Sequence, residues 1–292
     1  MNVCCKIVKY FFQAILIYLS FAIIKIIGLN LSRKFFSFLF NIIGPSIKSQ
    51  QTINDNLEKF FGIYNEDVKE RIQFKMWTNY GKTFVEYLYL KKFKNMSSHI
   101  EVKGEEILNK IKKNNKPVIF VSGHFANFEL MSMELTKRNI NFATIYRPLN
   151  NFFINPFIEY LRKKYICQNQ IKKGLIGVKD SINCIKNNFS IALMIDQRVS
   201  EGRKLPLFGH TALTTTLPAQ LALKFNLDIV PIYITRKEND NFEMEIYEPL
   251  KILNNDDIET NKLNISIKLN KILEKMISQD PGQWIWTHNR WK

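Results

Sequence analysis

The chain has 292 residues, of which 46% are hydrophobic, so it can bury a large core and is too apolar to be disordered. Its formal net charge of +16 at pH 7 favours an anionic partner: nucleic acid, an anionic membrane surface or an acidic protein. The four cysteines form no C-x-x-C pair and no cluster with the four histidines, so we expect neither a disulfide framework nor a metal site.

The first element that the sequence predicts is an apolar helix near the amino terminus. Tyr10–Ile24 is almost wholly apolar, and with Ile26–Leu31 it reaches the roughly 20 residues that a spanning helix needs. No small-x-small cleavage site follows, and basic residues on both sides leave the orientation open. We interpret this segment as a retained membrane anchor, spanning or interfacial, in preference to a cleaved signal or a buried helix. Phe35–Ile43, a second apolar stretch that ends at Gly44-Pro45, is too short to span.

The rest of the chain predicts an α/β fold. Two early segments show helical apolar spacing, Asn54–Phe60 and Glu66–Tyr89. Beyond them, predicted strands occupy Val118–Ser122, Phe142–Tyr146, Ile191–Ile195, Asp228–Thr235 and Phe242–Tyr247. Predicted helices occupy Asn127–Arg138, Asn155–Tyr165, Val178–Lys186, Thr215–Phe225 and Ile258–Ser278. This alternation favours a mostly parallel central sheet flanked by helices, with residues 1–45 as anchor and residues 46–292 as a single α/β domain.

Polar side chains follow three of the predicted strands. His124 comes after VIFVS, Arg147 after FATIY and Asp196 after IALMI. In parallel α/β sheets, binding and catalytic sites gather at the carboxyl ends of the strands. The three positions therefore predict one site at one edge of the sheet.

His124 and Glu129 form an H-x4-E arrangement at the predicted strand-to-helix turn. A carboxylate bonded to one ring nitrogen would fix the histidine tautomer, which suits a general base that takes a proton from an alcohol. The alternative is structural: His124 caps the helix and Glu129 complements its dipole. A nucleophilic Ser122 is a third interpretation, but its surroundings lack the G-x-S-x-G elbow.

The charged residues near this turn can be interpreted in several ways. Arg147 at a strand end suits bidentate binding of phosphate or carboxylate. Arg162 lies in the run LRKKY, which alone predicts a solvated basic face. Asp196 is expected either to anchor a basic residue such as Arg162, to orient substrate, or to be an ordinary loop aspartate.

Together these residues resemble the late (lauroyl/myristoyl) acyltransferases of lipid A biosynthesis, within the lysophospholipid acyltransferase superfamily. The matching blocks are spread along most of the chain: Gly123–Glu129, Tyr146–Asn151, Asp196–Gln197, Phe208–Ala219 and Pro281–Trp291. Gly282 departs from the family pattern, because an acidic residue is usual there. A short apolar segment at the amino terminus is also typical of the family.

The resemblance implies transfer of a fatty acyl chain from acyl carrier protein to a hydroxyl of a lipid A precursor, without metal or cofactor. It implies that His124 is the base, that Glu129 orients it, and that Arg147, Arg162 and Asp196 support the site or bind substrate phosphates. The expected partners are acyl carrier protein, an anionic glycolipid and a membrane, at the cytoplasmic face of the bacterial inner membrane. No nucleic-acid motif accompanies the aromatic, basic carboxyl-terminal segment, so nucleic acid is not expected.

Other functions remain open on the sequence. The same fold also serves lysophospholipid or glycolipid acceptors and acyl-CoA donors, and a thioesterase would use water as the acceptor. A different class, a basic membrane-binding protein without catalysis, would need neither His124 nor Glu129.

Overall fold

Helices fill the region that precedes the sheet in the computed structural model, which describes residues 3–61, 66–250, 252 and 257–292. These helices are α1 (Val3–Ile27), α2 (Leu29–Ile47), α3 (Gln50–Phe61), α4 (Glu66–Glu86) and, after a 3-10 turn at Tyr87–Tyr89, α5 (Leu90–Asn95). Strands and helices then alternate: β1 (Ile100–Lys103), α6 (Glu105–Asn114), β2 (Ile119–Ser122), α7 (Glu129–Lys137), β3 (Phe142–Tyr146), α8 (Asn155–Tyr165), β4 (Gln170–Lys172), α9 (Leu175–Lys186), β5 (Ser190–Met194), β6 (Arg203–Leu207), β7 (His210–Thr214), α10 (Leu217–Phe225), β8 (Ile229–Arg236), β9 (Phe242–Ile246) and α11 (Ile258–Gln279).

The central sheet is mainly parallel. Within the described ranges it holds seven strands in the order β1-β9-β8-β2-β5-β3-β4. Each neighbouring pair is parallel except β8 and β9, which run antiparallel. Helices cover the sheet, so the predicted fold class is confirmed, including the apolar helix at the amino terminus.

The strands in the middle of the sheet, β2, β5 and β8, are buried on both faces, which explains why they are almost continuously apolar. In β2, Phe120 packs in one cluster with Leu130 of α7. Its neighbours Ile119 and Val121 point to the other face and pack in a second cluster with Leu221 of α10. Strands covered on both faces have no solvent side for polar residues, so the first polar groups follow the strand ends.

The second apolar stretch belongs to a longer helix than the sequence predicted. α2 continues through Gly44 and Pro45 to Ile47, and the fixed φ of proline is compatible with a helix. Gly44 lies directly against the Trp77 ring of α4, where a Cβ would come within 2.4 Å of the ring. The helix therefore runs past Gly44-Pro45, where the apolar stretch ends, and packs closely on α4 there.

Several short elements were absent from the prediction. The strands β1 and β4 have four and three residues, too few to show a periodic pattern. The antiparallel hairpin of β6 and β7 contains polar residues and Pro206, a residue that only edge strands tolerate. Its two-residue turn, Phe208 and Gly209, has positive φ at both positions (52° and 72°), as hairpin turns of this kind require.

α1 lies along the side of the protein. Its inner face buries Ala14, Phe21 and Ile24, whereas most of its other apolar side chains are exposed. The segment Cys4–Ile27 has the length and hydropathy to cross a membrane, as predicted from its composition. The division of the chain into residues 1–45 and 46–292 stays a prediction. α2, which contains the boundary, packs closely on α4 of the second part.

Candidate active site

Three neighbouring strands of the sheet end at one place. β5 lies between β2 and β3, and all three are parallel, so their carboxyl ends share one edge. His124 follows β2, Asp196 follows β5 and Arg147 follows β3. The structure thus places these three residues at neighbouring strand ends.

His124 is held by the carboxylate of Asp196. The ring nitrogen Nδ1 of His124 lies 2.8 Å from Oδ1 of Asp196, and the backbone N–H of His124 donates to Oδ2 at 2.9 Å. The indole N–H of Trp284 donates to the same Oδ2 at 2.9 Å. Because a carboxylate only accepts, Nδ1 carries the proton, and Nε2 is the nitrogen that can take a proton from a substrate.

The electrostatics of Asp196 favour its charged form. Burial alone would raise the pKa of this carboxyl group, but His124 and the hydrogen bonds from His124 and Trp284 lower the pKa to about 2. Asp196 therefore stays ionised at all physiological pH values. A fixed negative charge behind the ring stabilises the imidazolium that forms when His124 accepts a proton.

The turn that carries His124 is shaped by close packing. A Cβ at Gly123 would lie 2.7 Å from the ring of Phe125, so a side chain does not fit there. Phe125 forms an isolated bridge with Trp284, and the backbone N–H of Ala126 donates to Gln283 at 3.0 Å. The carboxyl-terminal segment therefore pairs with the turn that carries His124 and supports its backbone.

Glu129 has different partners from those the sequence predicted. It is the first residue of α7, and its Oε1 accepts from Nε of Arg162 at 2.7 Å and from the hydroxyl of Tyr87. Arg162 also donates to the Tyr87 hydroxyl at 3.0 Å. The expected bond from His124 to Glu129 is thus replaced by one to Asp196, and the expected partner of Arg162, Asp196, is replaced by Glu129.

Burial and charge reinforce this second cluster. Burial opposes the charge on Arg162, but Glu129 and Tyr87 outweigh it and raise the pKa of the guanidinium. Burial, followed by the neighbouring charge of Glu129, raises the pKa of Tyr87, so its hydroxyl remains a donor. The prediction of an isolated solvated face around Arg162 is wrong, because its side chain is only 12% exposed.

A cavity of about 560 Å³ opens over both clusters. Its polar lining includes His124, Glu129, Arg147, Arg162 and Lys173, and its apolar lining includes Ile145, Leu149, Leu193, Met194, Leu217 and Ile285. This volume lies in the range of ligand-binding pockets, and the mixed lining suits a molecule with an apolar chain and an anionic group.

The alternatives for this turn find little support in the geometry. No side chain caps the start of α7, so His124 does not act as a helix cap. Ser122 is buried, and its hydroxyl lies 3.4 Å from the carbonyl of Gly123, away from the residues that line the cavity. Among the residues described, no group of three or more histidine, cysteine, aspartate or glutamate side chains is arranged to hold a metal ion.

Sequence reasoning missed four residues of this region. Tyr87 had been counted as part of an apolar helix face, and Lys173 stood in an ordinary basic run. Trp284 and His288 lie in the aromatic, basic carboxyl-terminal segment, where the sequence assigned no site residue; His288 lines the cavity, and its Nε2 accepts the backbone N–H of Arg198 at 2.8 Å. A usable signal existed for Trp284, because a buried indole N–H needs a hydrogen-bond partner.

Comparison with known proteins agrees with this architecture. Residues 5–292 match the family described as bacterial lipid A biosynthesis acyltransferase. The chain is 24% identical over 247 residues to the lipid A biosynthesis lauroyltransferase of Escherichia coli (strain K12), covering 82% of this chain and 78% of that protein. It is 22% identical over 260 residues to the palmitoleoyltransferase of the same organism and to a lipid A biosynthesis acyltransferase of Shigella flexneri, covering 85% of this chain and 80% of each relative.

Proposed function

The chain belongs to the bacterial lipid A biosynthesis acyltransferase family, and from this premise we propose a specific reaction for it. The enzyme transfers a fatty acyl chain from an acyl carrier protein thioester to a hydroxyl of a lipid A precursor. It works at the cytoplasmic face of the bacterial inner membrane. The lipid A functions of its relatives support the acceptor, and the apolar α1 supports the membrane.

The observation that carries the proposal is the His124–Asp196 pair beside the cavity. Nε2 of His124 removes the proton from the acceptor hydroxyl, and the hydroxyl oxygen attacks the thioester carbonyl carbon. The tetrahedral intermediate collapses, the carbon–sulfur bond breaks, and the imidazolium returns its proton to the leaving thiolate. These steps need no metal or cofactor.

The cavity lining supports the substrate class. Arg147 and Lys173 lie at the polar side, where they pair with the phosphate groups of an anionic glycolipid. Leu193, Met194 and Leu217 line an apolar part that suits a fatty acyl chain. The net charge of +16 attracts both the anionic lipid and the acidic carrier protein, so the association rate falls with added salt.

Glu129 acts in this proposal by holding Arg162 and Tyr87 at the wall of the cavity. The side chains of Glu129 and Arg162 are 9% and 12% exposed, so the pair is well shielded from water. Arg162 then presents its remaining N–H groups to the developing oxyanion or to a substrate phosphate. His124 keeps its predicted role as the base, with Asp196 as the residue that positions it.

The test is acyl transfer by purified full-length protein with acyl carrier protein thioester and a lipid A precursor. We expect His124→Ala to lower kcat by roughly 10²–10⁴-fold, the usual contribution of a general base. The matched control is His210→Ala, because His210 is an exposed histidine on the hairpin. Near wild-type transfer by His124→Ala contradicts the mechanism.

Replacing or omitting one substrate at a time in the same assay distinguishes other acceptors, other donors and thioester hydrolysis. A lysophospholipid in place of the lipid A precursor tests the acceptor, and acyl-CoA in place of the carrier thioester tests the donor. Thioester loss without any lipid acceptor would indicate hydrolysis. Loss of one acyl chain from lipid A in a deletion strain, measured by mass spectrometry, identifies the acceptor in the cell.

A further inference from the structure

We propose that Leu175 and Ile176, the first two residues of α9, form a second bilayer-inserting point that seats the cavity mouth on an anionic membrane. Leu175 is 92% exposed and Ile176 is 76% exposed. Two adjacent large aliphatic side chains this exposed mark an interaction surface when they join a larger apolar patch. The larger patch here is the outer face of α1.

α1 lies flat against the protein instead of projecting from it. Its contacts run from Tyr10, whose carbonyl accepts from Asn151 at 2.8 Å, to Lys25, which donates to the Leu88 carbonyl at 2.8 Å. At 1.5 Å per residue these contacts cover about 22 Å of the helix. A helix held along that length lies in the plane of the interface and presents its free apolar face to lipid. That free face includes Val8, Phe12, Ile15, Leu16, Leu19, Ile23 and Ile26.

The β3–α8 loop joins this face to the edge of the sheet. The ring of Phe152 packs edge-on against Tyr10 with a centroid distance of 6.0 Å. Phe152 is still 50% exposed, and Leu149 in the same loop is 42% exposed. The apolar surface of α1 therefore extends into the loop that follows Arg147.

The β4–α9 turn lies beside this loop. β3 and β4 are parallel neighbours in which Tyr146 is paired with Lys172, and the backbone N–H of Lys173 donates to the Tyr146 carbonyl at 2.8 Å. Leu175 and Ile176 follow within three residues of Lys173. The α1 face, the loop and the start of α9 thus form one apolar border around the cavity mouth, where Leu149 and Lys173 line the cavity.

The basic residues beside this apolar border indicate that the surface contacts an anionic lipid bilayer. Lys172 and Lys173 are exposed immediately before the apolar pair, and Arg147 is exposed on the neighbouring strand. Lys6 and Lys9 are exposed near the start of α1. Apolar side chains flanked by lysine and arginine are typical of surfaces that insert among anionic headgroups.

Quenching of a tryptophan at position 175 by brominated lipid tests the insertion directly. Leu175→Trp in the full chain is mixed with phosphatidylethanolamine–phosphatidylglycerol vesicles that carry brominated acyl chains. We expect a blue-shifted, strongly quenched emission relative to wild type, and weaker quenching on phosphatidylcholine vesicles. The matched control is Ile258→Trp, because Ile258 is 74% exposed at the start of α11.

Two outcomes overturn this proposal. The first is quenching of Leu175→Trp no greater than that of Ile258→Trp. The second is a blue shift without lipid that grows with protein concentration, which would assign the surface to a second copy of the chain. Quenching does not require turnover, so this result stands even where the proposed reaction fails.

A kinetic test deepens the proposed function and rests on it. The double variant Leu175→Asp/Ile176→Asp changes side chains outside the cavity. We expect transfer to a vesicle-embedded acceptor to fall several-fold while transfer to a detergent-dispersed acceptor is unchanged. An equal loss in both assays, or no loss in vesicles, contradicts the insertion; Ile258→Asp serves as the control in each.

Discussion

The two carboxylates near the cavity belong to regions that are built differently. Asp196 is buried behind the histidine and is held by three N–H donors, two from His124 and one from Trp284. Glu129 lies at the cavity wall and is held by a cation, Arg162, and a phenol. The first arrangement fixes the histidine that we propose as the base, and the second fixes a positive charge. Similar side chains thus serve different chemistry because their partners differ.

The largest expected effect comes from Asp196→Asn. The amide presents an N–H group to the His124 ring and favours the wrong tautomer, so we expect kcat to fall by roughly 10³–10⁴-fold. Steady-state transfer assays measure this, with circular dichroism to confirm folding. Asp180→Asn, at an exposed aspartate of α9, is the control. A kcat near wild type for Asp196→Asn would show that Asp196 does not position His124, and the contrast with Glu129 would fail.

A smaller effect on activity and a clear effect on stability are expected from Glu129→Gln. The change leaves Arg162 buried without its anion, which costs about 3 kcal/mol in the free energy of unfolding. A displaced guanidinium lowers kcat/KM by up to about 100-fold. Urea titration and transfer assays on Glu129→Gln, Arg162→Ala and the double variant give the coupling energy. Unchanged stability with a kcat as low as that of His124→Ala would instead assign proton transfer to Glu129.

Trp284→Phe removes one of the three hydrogen bonds to the Asp196 carboxylate. The ring is kept and the indole donor is lost, so we expect about 1.5–3 kcal/mol less stability and a kcat about tenfold lower. Trp286→Phe is the matched control, because that indole donates to the carbonyl of Pro281 at 2.7 Å and not to Asp196. Equal kcat values for the two variants would show that the Trp284 bond does not position the histidine.

The smallest effect is a pH dependence of stability away from the cavity. Burial lowers the pKa of His99 from 6.5 to about 4, so the unfolded chain takes up its proton first as the pH falls. Stability is therefore lost between about pH 6.5 and pH 4, whereas the contribution of Asp196 is lost only below its ordinary pKa of 3.8. Urea unfolding of wild type and His99→Phe at pH 7 and pH 5 measures the difference, which should shrink or reverse at pH 5. If the difference in the free energy of unfolding between wild type and His99→Phe is the same at pH 7 and pH 5, the lowered pKa of His99 is contradicted.

Much of the fold was accessible from the sequence because both sheet faces are buried. The runs 118–122, 142–146 and 191–195 are continuous and apolar, so their strands and the shared edge could be predicted. The hairpin of β6 and β7 could not, since its strands contain polar residues and a proline. The extension of α2 through Pro45 depends on Trp77, a contact between segments far apart in the chain.

The members of the site were easier to predict than their pairing. His124, Arg147 and Asp196 follow strands, and strand ends are recognisable. Which carboxylate meets the imidazole depends on the order of β2, β5 and β3 in the sheet, which local periodicity does not contain. The order puts the end of β5 next to His124 and leaves Glu129, on α7, facing α8. Glu129 is closer to His124 in the sequence, but Asp196 is the carboxylate that contacts the imidazole in the structure.

The hold of Trp284 on the histidine turn has a consequence for biosynthesis. The segment 281–286 pairs with the turn at Phe125 and Ala126, so this turn lacks its support until the ribosome has made those residues. At about 5–20 residues per second, α1 precedes them by roughly ten seconds or more. A nascent chain thus has its apolar helix α1 long before its histidine turn is supported. Translation order itself therefore makes the support of this turn one of the last steps in forming the candidate site.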